Sequence, residues 1–289
     1  MVRFLAAVLL AALPLAAQDY AKLRVIAFGA HPDDCDGKAG GLAAKYAAAG
    51  HLVKFVSVTN GDAGHHEQGG GALAKRRRAE ALEAGRRIGI VYEVLDNHDG
   101  ELLPTLEVRR QIIRKIREWQ ADIVLGPRPN DYHPDHRNTG ILVQDAAYMV
   151  TVPNVVTDVP ALRKNPVFLY FADRFTRPQP FRPDVVVAID DVIDKKIDML
   201  DAHVSQMYEW LPWHDGKLAE VPQDPAARKK WLFALRANKM PAEWKPALEK
   251  WYGAKAADIQ YAEAFEITEY GRRPDDAEIR KLFPFFPEK

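Results

Sequence analysis

The chain has 289 residues, of which 47% are hydrophobic, and it carries 40 basic and 40 acidic side chains. A chain of this length can bury a sizeable core, so we expect one large α/β domain over residues 19–289, with a C-terminal elaboration from about residue 207. The zero net charge provides no basic field for nucleic acid and favours a neutral or weakly charged substrate. The single cysteine, Cys35, excludes an intramolecular disulfide, and we expect its thiol to be buried.

The first residues have the pattern of a cleaved secretory signal peptide. Arg3 supplies a positive start, residues 4–17 are apolar, and Ala16-Ala17-Gln18 offers a small-residue cleavage site. The apolar segment is short for a transmembrane helix, which needs about twenty residues. We therefore expect residues 1–18 to be removed and the protein to be exported to the periplasm or the exterior. The alternative is a retained segment that anchors the protein to a membrane.

Short apolar runs alternate with helical patterns through the first half of the chain. The predicted strands are Leu23–Phe28, Leu52–Thr59, Val91–Leu95 and Ala121–Gly126. This alternation predicts a Rossmann-like, doubly wound, mostly parallel sheet with flanking helices. In such a sheet the first and fourth strands flank the point where the strand order reverses, and ligands bind outside the carboxyl ends of those strands.

The turn after the first predicted strand has the sequence His31-Pro32-Asp33-Asp34, ahead of a small-residue helix over residues 37–50. His31 and Asp34 are three residues apart, so in a helical turn they project to the same side. Asp33 points to a neighbouring position. Each aspartate taken alone is also a typical helix cap.

The turn after the fourth predicted strand repeats the pattern as His133-Pro134-Asp135-His136, at the head of a helix that runs toward Val150. The doubly wound topology should therefore bring His31, Asp34 and His136 together. Imidazole nitrogens and a carboxylate oxygen are typical zinc ligands, and the spare groups are suited to acid-base chemistry. The two motifs together indicate a hydrolase.

A glycine-rich segment, residues 60–71, follows the second strand and is predicted to be a mobile loop over the substrate. We expect its His65 and His66 to be solvated rather than metal ligands. The segment lacks the Gly-Lys-Ser/Thr ending of a phosphate-binding loop. The basic run of residues 75–78 begins a helix and is expected to be mostly a solvated face.

Beyond the fourth strand the pattern is weaker. Residues 166–171 and 184–189 are two further predicted strands, and a helix should begin near Asp190 and end at His203-Val204-Ser205-Gln206. That ending either lines the cleft or packs in the core, and packing is favoured. Residues 261–265 are a strand or a helix near the cleft. The tryptophans between residues 207 and 257 form either a sugar-stacking wall or core and interface anchors.

These motifs resemble the LmbE-like, or PIG-L, family of zinc-dependent de-N-acetylases that act on N-acetylglucosamine conjugates. The resemblance rests on residues 30–34 with Gly40-Gly41 following, and on residues 133–136. Looser matches are Arg77-x-x-Glu80, Asp99-Gly100, His203-x-Ser205-Gln206 and Tyr261-Ala-Glu-Ala-Phe265. Together they span most of residues 23–270. The chain departs from the commonest pattern at Cys35, where an acidic residue often follows the motif.

The resemblance implies a set of roles. His31, Asp34 and His136 would hold the metal, Zn²⁺ or another divalent transition metal such as Fe²⁺. Asp33 would be the general base. His133, backed by Asp135, would stabilise the oxyanion, protonate the departing amine or serve as an outer hydrogen-bond partner of the ligands. Arg77 and Asp99 would contact substrate hydroxyls.

The implied substrate is a small molecule or glycan bearing an acetamido sugar, and the sequence leaves the oligomeric state open. Two other classes of function compete with this interpretation. A metal-dependent phosphoesterase could use the same sheet, although two-metal sites normally need more carboxylates than these motifs supply. A non-catalytic carbohydrate-binding protein would have lost the ligands or the base, and all of them are present here.

Overall fold

The computed structural model describes residues 22–237 and 239–287, so the predicted signal segment, residues 1–18, lies outside the described residues. The strands form one sheet in the order β3-β2-β1-β4-β5-β7-β6. Their bounds are β1 (Arg24–Gly29), β2 (Leu52–Thr59), β3 (Val91–Asn97), β4 (Ile123–Gly126), β5 (Val167–Phe171), β6 (Val185–Ala188) and β7 (Ala262–Ile267). This order confirms the predicted doubly wound α/β fold.

Helices cover both faces of this sheet. Their bounds are α1 (Asp34–Ala48), α2 (Gly70–Ile88), α3 (Leu106–Trp119), α4 (Pro134–Met149), α5 (Ile193–Ala202), α6 (Leu211–His214), α7 (Pro225–Arg236), α8 (Lys245–Tyr252) and α9 (Asp276–Leu282). None of the helices within the described ranges is long and apolar enough to cross a membrane.

The central strands are apolar on both faces because helices pack against each side. In β1, Val25 and Ala27 belong to the core cluster beneath α1, α2 and α5, whereas Ile26 and Phe28 belong to the cluster beneath α3 and α4. Strand β1 pairs in parallel with β2 on one side and with β4 on the other. The carboxyl ends of β1 and β4 are therefore neighbours, as the sequence predicts.

The C-terminal part of the chain contributes to the sheet itself. Strand β7 is antiparallel to both β5 and β6 and lies between them, which decides between the strand and helix predictions for this segment. The helix predicted from Asp190 begins as a 3-10 turn and ends at Ala202, earlier than predicted. A separate π-helical turn, Ser205–Trp210, follows it.

Candidate metal centre

The two His-Pro-Asp motifs lie side by side at the carboxyl ends of β1 and β4. Helix α1 begins at Asp34, and His31 lies in the turn between β1 and α1. Helix α4 begins at Pro134, a residue that fits the first helical position because its missing N–H has no partner to bond there. His136 therefore lies in the first turn of α4, facing the β1 turn.

Three donor atoms from these motifs form a compact triangle. His31 Nδ1 lies 3.2 Å from His136 Nε2 and 3.5 Å from Asp34 Oδ2, and His136 Nε2 lies 3.4 Å from Asp34 Oδ2. Bonds of about 2.0–2.2 Å in tetrahedral geometry place ligand atoms about 3.3–3.6 Å apart. The predicted ligand set thus fits a face of a zinc coordination tetrahedron, and we call these three residues the metal triad.

Carboxylates orient both histidines of the metal triad. His31 Nε2 lies 3.3 Å from Asp135 Oδ2 and 3.1 Å from Asp99 Oδ1, while His136 Nδ1 lies 2.9 Å from Asp131 Oδ1. A ring nitrogen that donates its proton to a carboxylate leaves the other nitrogen with a lone pair for a metal. In both rings that other nitrogen is the one inside the triangle.

The nearby carboxylates raise the pKa of both histidines of the metal triad. Burial lowers the pKa of His31, but hydrogen bonds to Asp135, Asp34 and Asp99 outweigh it and hold that pKa well above its usual value. Burial also lowers the pKa of His136, but the carboxylates of Asp34 and Asp131 outweigh it and raise that pKa to about 9. His31 Nδ1, His136 Nε2 and Asp34 Oδ2 face one another, so a proton or a metal ion held between them is stabilised.

Asp33, the predicted base, lies beside the metal triad and makes no helix-capping bond, so the capping interpretation fails for it. Its Oδ1 accepts a hydrogen bond of 3.1 Å from Arg77 Nη2, and its side chain is 15% exposed. Arg77 Nη1 lies 3.3 Å from Asp99 Oδ2. The Arg77 side chain is only 2% exposed, and its contacts orient Asp33 and Asp99. Its contact with substrate hydroxyls stays a prediction.

The second motif also differs from its prediction. Asp135 was expected to back the His133 ring, but its fully buried carboxylate contacts His31 and accepts hydrogen bonds from the Gly100 and Leu102 N–H groups. The reason is its place inside the first turn of α4, which aims the side chain at the β3–α3 loop. Only the Asp135 N–H supports His133, by donating to its Nδ1.

The His133 ring lies with its centroid 4.6 Å from that of His31 and 5.1 Å from that of His136. Burial and the positive charges of His31 and His136 lower the pKa of His133. Since Nδ1 accepts from the helix N-terminus, the neutral ring carries its proton on Nε2. His133, His31 and His136 also form a set of donors close enough to share a metal, as do His31, Asp99 and Asp135.

The glycine-rich loop, residues 60–71, covers Arg77. A Cβ on Gly61, whose φ is +73°, would lie 2.6 Å from Arg77 Nη1, so both the backbone angle and the close approach require glycine. His65 was predicted to be solvated, which is wrong: its side chain is 2% exposed and its Nε2 lies 2.9 Å from Glu209 Oε2. The His66 ring stacks on Trp213. The C-terminal segment therefore holds this loop in place.

Three further predictions can be compared with the structure. Cys35 is buried, as expected. His203 is also buried, with Nε2 3.2 Å from Asp36 Oδ1, which agrees with the favoured packing role. Of the tryptophans, Trp251 lies in the core and Trp213 is 47% exposed beside the glycine-rich loop.

Two residues of this region were missed by the sequence argument. Asp131 lies in the loop before the second motif and holds His136. Glu263, on β7, accepts hydrogen bonds from the Gly41 and Leu42 N–H groups, where α1 is kinked at Ala39. The position of Asp131, two residues before His133, could have indicated that it contacts the second motif. Glu263 lies inside the Tyr261-Ala-Glu-Ala-Phe265 match, but that match assigned it no role because its backbone partners are more than two hundred residues away.

Comparisons with known proteins place the chain among its relatives. The PIG-L family model, described as GlcNAc-PI de-N-acetylase, matches residues 26–147. A diacetylchitobiose deacetylase of Thermococcus kodakarensis is 31% identical over 203 residues, covering 66% of this chain and 73% of that protein. The chain belongs to the PIG-L family. The matched residues include both motifs of the metal triad.

Solved structures of similar fold include more than one chemistry. An N,N'-diacetylchitobiose deacetylase from Pyrococcus horikoshii aligns with a TM-score of 0.65 and 24% identity, over 91% of this chain and 92% of that one. A 4-carboxy-2-hydroxymuconate hydratase from Pseudomonas putida also aligns with a TM-score of 0.65, at 20% identity, over 88% and 99%. The fold alone therefore does not select a reaction for this PIG-L chain.

Proposed function

We propose that this protein is a metal-dependent de-N-acetylase of N-acetylglucosamine-type sugars or their conjugates. The observation that carries the proposal is the triangle of His31 Nδ1, Asp34 Oδ2 and His136 Nε2. A further carboxylate, Asp33, lies outside the triangle and is held by Arg77. Metal binding alone does not need Asp33. Membership of the PIG-L family and the 31% identity to a diacetylchitobiose deacetylase support the acetamido sugar as substrate.

His31, Asp34 and His136 would hold the metal, with zinc as our first choice because two imidazoles and one carboxylate are a typical catalytic zinc set. A zinc ion supplies a Lewis acid and lowers the pKa of water toward neutrality. Asp131, Asp135 and Asp99 keep the two histidines in the tautomers that direct a lone pair to the metal.

The remaining groups move protons and stabilise charge. Asp33 takes a proton from the attacking water, and the Arg77 guanidinium fixes its orientation. The Nε2–H of neutral His133 donates to the oxygen that becomes negative as the amide carbonyl is attacked. Its lowered pKa suits this role, because a neutral imidazole persists at neutral pH. The C–N bond then breaks, and the amine leaves with the proton that Asp33 received.

The first test is the release of free amine from N-acetylglucosamine and diacetylchitobiose by the purified chain. We expect activity after loading with zinc or ferrous iron, loss on chelation and recovery on adding the metal back. p-Nitrophenyl phosphate is assayed in parallel. Cleavage of the phosphate ester without amine release from any acetamido sugar would overturn the proposal in favour of a phosphoesterase.

A further inference from the structure

Two looser motifs of the sequence, Arg77-x-x-Glu80 and His203-x-Ser205-Gln206, meet in the structure. Glu80 lies one turn after Arg77 on α2, so the two side chains share a face of that helix. The Glu80 carboxylate accepts hydrogen bonds from Ser205 N at 2.9 Å and from Ser205 Oγ at 2.6 Å. Helix α2 is thereby joined to the π-helical turn that begins at Ser205. Turns of this kind are rare and occur frequently at functional sites.

Gln206, the second residue of this π-helical turn, contacts the glycine-rich loop of residues 60–71. Its Nε2 donates a hydrogen bond of 2.9 Å to the Gly64 carbonyl and also lies 3.3 Å from Ser205 Oγ. The residue is only 3% exposed. A buried amide donor without an acceptor costs free energy, so the side chain is stable here only while Gly64 stays in place. The contact therefore ties the loop to the C-terminal part of the chain.

The glycine-rich loop in turn contacts Arg77. The Gly61 carbonyl accepts a hydrogen bond of 3.1 Å from Arg77 Nη1. A Cβ on Gly64 would lie 2.7 Å from the same nitrogen, so the backbone at Gly64 packs directly against the guanidinium. Arg77 Nε is buried and has no hydrogen-bond partner among the residues that the structure describes. The orientation of the guanidinium therefore depends on the loop as well as on Asp33 and Asp99.

We infer that Gln206 is a positioning residue for Asp33: it holds the glycine-rich loop against Arg77, and Arg77 holds the Asp33 carboxylate. The inference rests on the proposed function, in which Asp33 takes a proton from water. Proton transfer requires the carboxylate to lie within hydrogen-bond reach of that water. A misplacement of about 1 Å, caused by a change far from the reacting atoms, can lower the rate about a hundredfold.

Two variants break this route at different points. Gln206→Met keeps the length of the side chain and removes its hydrogen-bond donor. Ser205→Ala removes the hydroxyl that donates to Glu80 and leaves the Gln206 amide in place. The matched control is Gln144→Met, at a partly buried amide on α4 whose Oε1 accepts from Tyr170 Oη at 3.3 Å. Each variant removes one side-chain hydrogen bond, so we expect the three to lower Tm by similar amounts.

The first readout is hydrolysis of diacetylchitobiose by the metal-loaded variants. We expect kcat to fall about tenfold in Gln206→Met and about threefold in Ser205→Ala, because a loosened loop leaves the base less well oriented. KM should stay within about twofold of the wild-type value, since sugar binding does not use the Gln206 amide. Gln144→Met should keep the wild-type kcat. A raised KM with unchanged kcat in Gln206→Met would overturn the inference, because the loop would then serve substrate binding alone.

A double-mutant cycle with Arg77→Lys tests whether Gln206 acts through Arg77. Lysine keeps the positive charge but lacks the planar fork that contacts both Gly61 and Asp33. Once that fork is gone, adding Gln206→Met should lower kcat by less than about twofold further. Losses of independent origin would instead multiply, and a fully multiplicative double variant would overturn the inference.

Hydrogen exchange of residues 60–71, followed by mass spectrometry, does not depend on turnover. Peptides from this loop should exchange about tenfold faster in Gln206→Met than in wild-type protein, and at the wild-type rate in Gln144→Met. Unchanged exchange in Gln206→Met would overturn the inference and leave the deacetylase proposal standing. Absence of amine release from every acetamido sugar by wild-type protein would overturn the proposed function and, with it, the positioning of a base.

Discussion

The two His-Pro-Asp motifs share their first three residues and a place after a parallel strand, yet they use these residues differently. In the first motif, His31 belongs to the metal triad and Asp33 is partly exposed beside it. In the second, His133 caps α4 and Asp135 is fully buried behind His31. A short motif therefore fixes which side chains emerge at a turn, and the neighbouring elements decide what each one does.

The difference has a structural origin in where each helix begins. Helix α1 starts at the fourth residue of its motif, Asp34, whereas α4 starts at the second residue of its motif, Pro134. The third residue, aspartate in both motifs, consequently lies before one helix and inside the other. Asp33 is left partly exposed and in contact with Arg77, while Asp135 is directed toward the Gly100 and Leu102 N–H groups.

The strongest test of this comparison is Asp33→Asn. We expect activity to fall about a thousandfold, within the usual range for loss of a general base, because the amide cannot take a proton from water. Metal content, measured by atomic absorption, should not change, because Asp33 is outside the metal triad. Asp145→Asn, at a partly exposed acid on α4, is the control. Activity within tenfold of wild type would contradict the base assignment.

Asp135→Asn should weaken metal binding rather than proton transfer. Its carboxylate orients the His31 ring, and loss of such a partner typically weakens metal affinity about 10- to 100-fold. Activity should be low at limiting zinc and largely restored at saturating zinc, whereas added zinc should not rescue Asp33→Asn. The measurement is competition with a chelating dye. An unchanged zinc affinity in Asp135→Asn would contradict the assignment of Asp135 to metal binding and of Asp33 to proton transfer.

Local sequence predicted the parts of this molecule that depend on periodicity and topology. The apolar runs and their spacing were enough to place β1 beside β4, and that adjacency brought His31 and His136 together. The partners of Asp135 and His65 were mispredicted because they lie on other elements, 33 or more residues away in the case of Asp135 and 144 in the case of His65. Such contacts depend on how helices pack, which no local pattern records.

A proton and a metal compete for the metal triad, so the stabilisation by metal should depend on pH. In metal-free protein the raised pKa values of His31 and His136 add stability that is complete below the unfolded value of about 6.5. That stability is lost as pH rises through the folded value of about 9 for His136. Zinc binding instead strengthens as these rings lose their protons.

We therefore expect the rise in Tm caused by zinc to be larger at pH 8.5 than at pH 6. Calorimetry of zinc-loaded and chelated samples at both pH values measures it. In His136→Gln the zinc-induced rise in Tm should differ less between pH 8.5 and pH 6, since one of the two titrating ligands is gone. A zinc-induced rise in Tm that is greater at pH 6 would contradict the competition between proton and metal.

Glu263 contacts α1 beyond the kink, away from the first motif. Its buried carboxylate accepts the Gly41 and Leu42 N–H groups at 2.9 and 2.7 Å and pairs with Lys196 Nζ at 2.8 Å. The kink at Ala39 exposes these N–H groups to Glu263, and it sets the direction of the short segment that carries Asp34. We therefore predict that Glu263 acts as a positioning residue of the metal triad through α1.

The variant Glu263→Gln leaves an amide nitrogen that cannot accept an N–H and faces Lys196 unfavourably, so the segment before Ala39 should lose its fixed direction. We expect a few-fold weaker zinc affinity together with a lower Tm. Glu266→Gln, three residues along β7 and also buried, is the matched control, because that carboxylate accepts from Arg182 N and does not contact α1. It should lower Tm and leave zinc affinity unchanged. Equal losses of affinity in both variants would mean that only the stability of the sheet matters, whereas a loss confined to Glu263→Gln would show that β7 helps to aim Asp34.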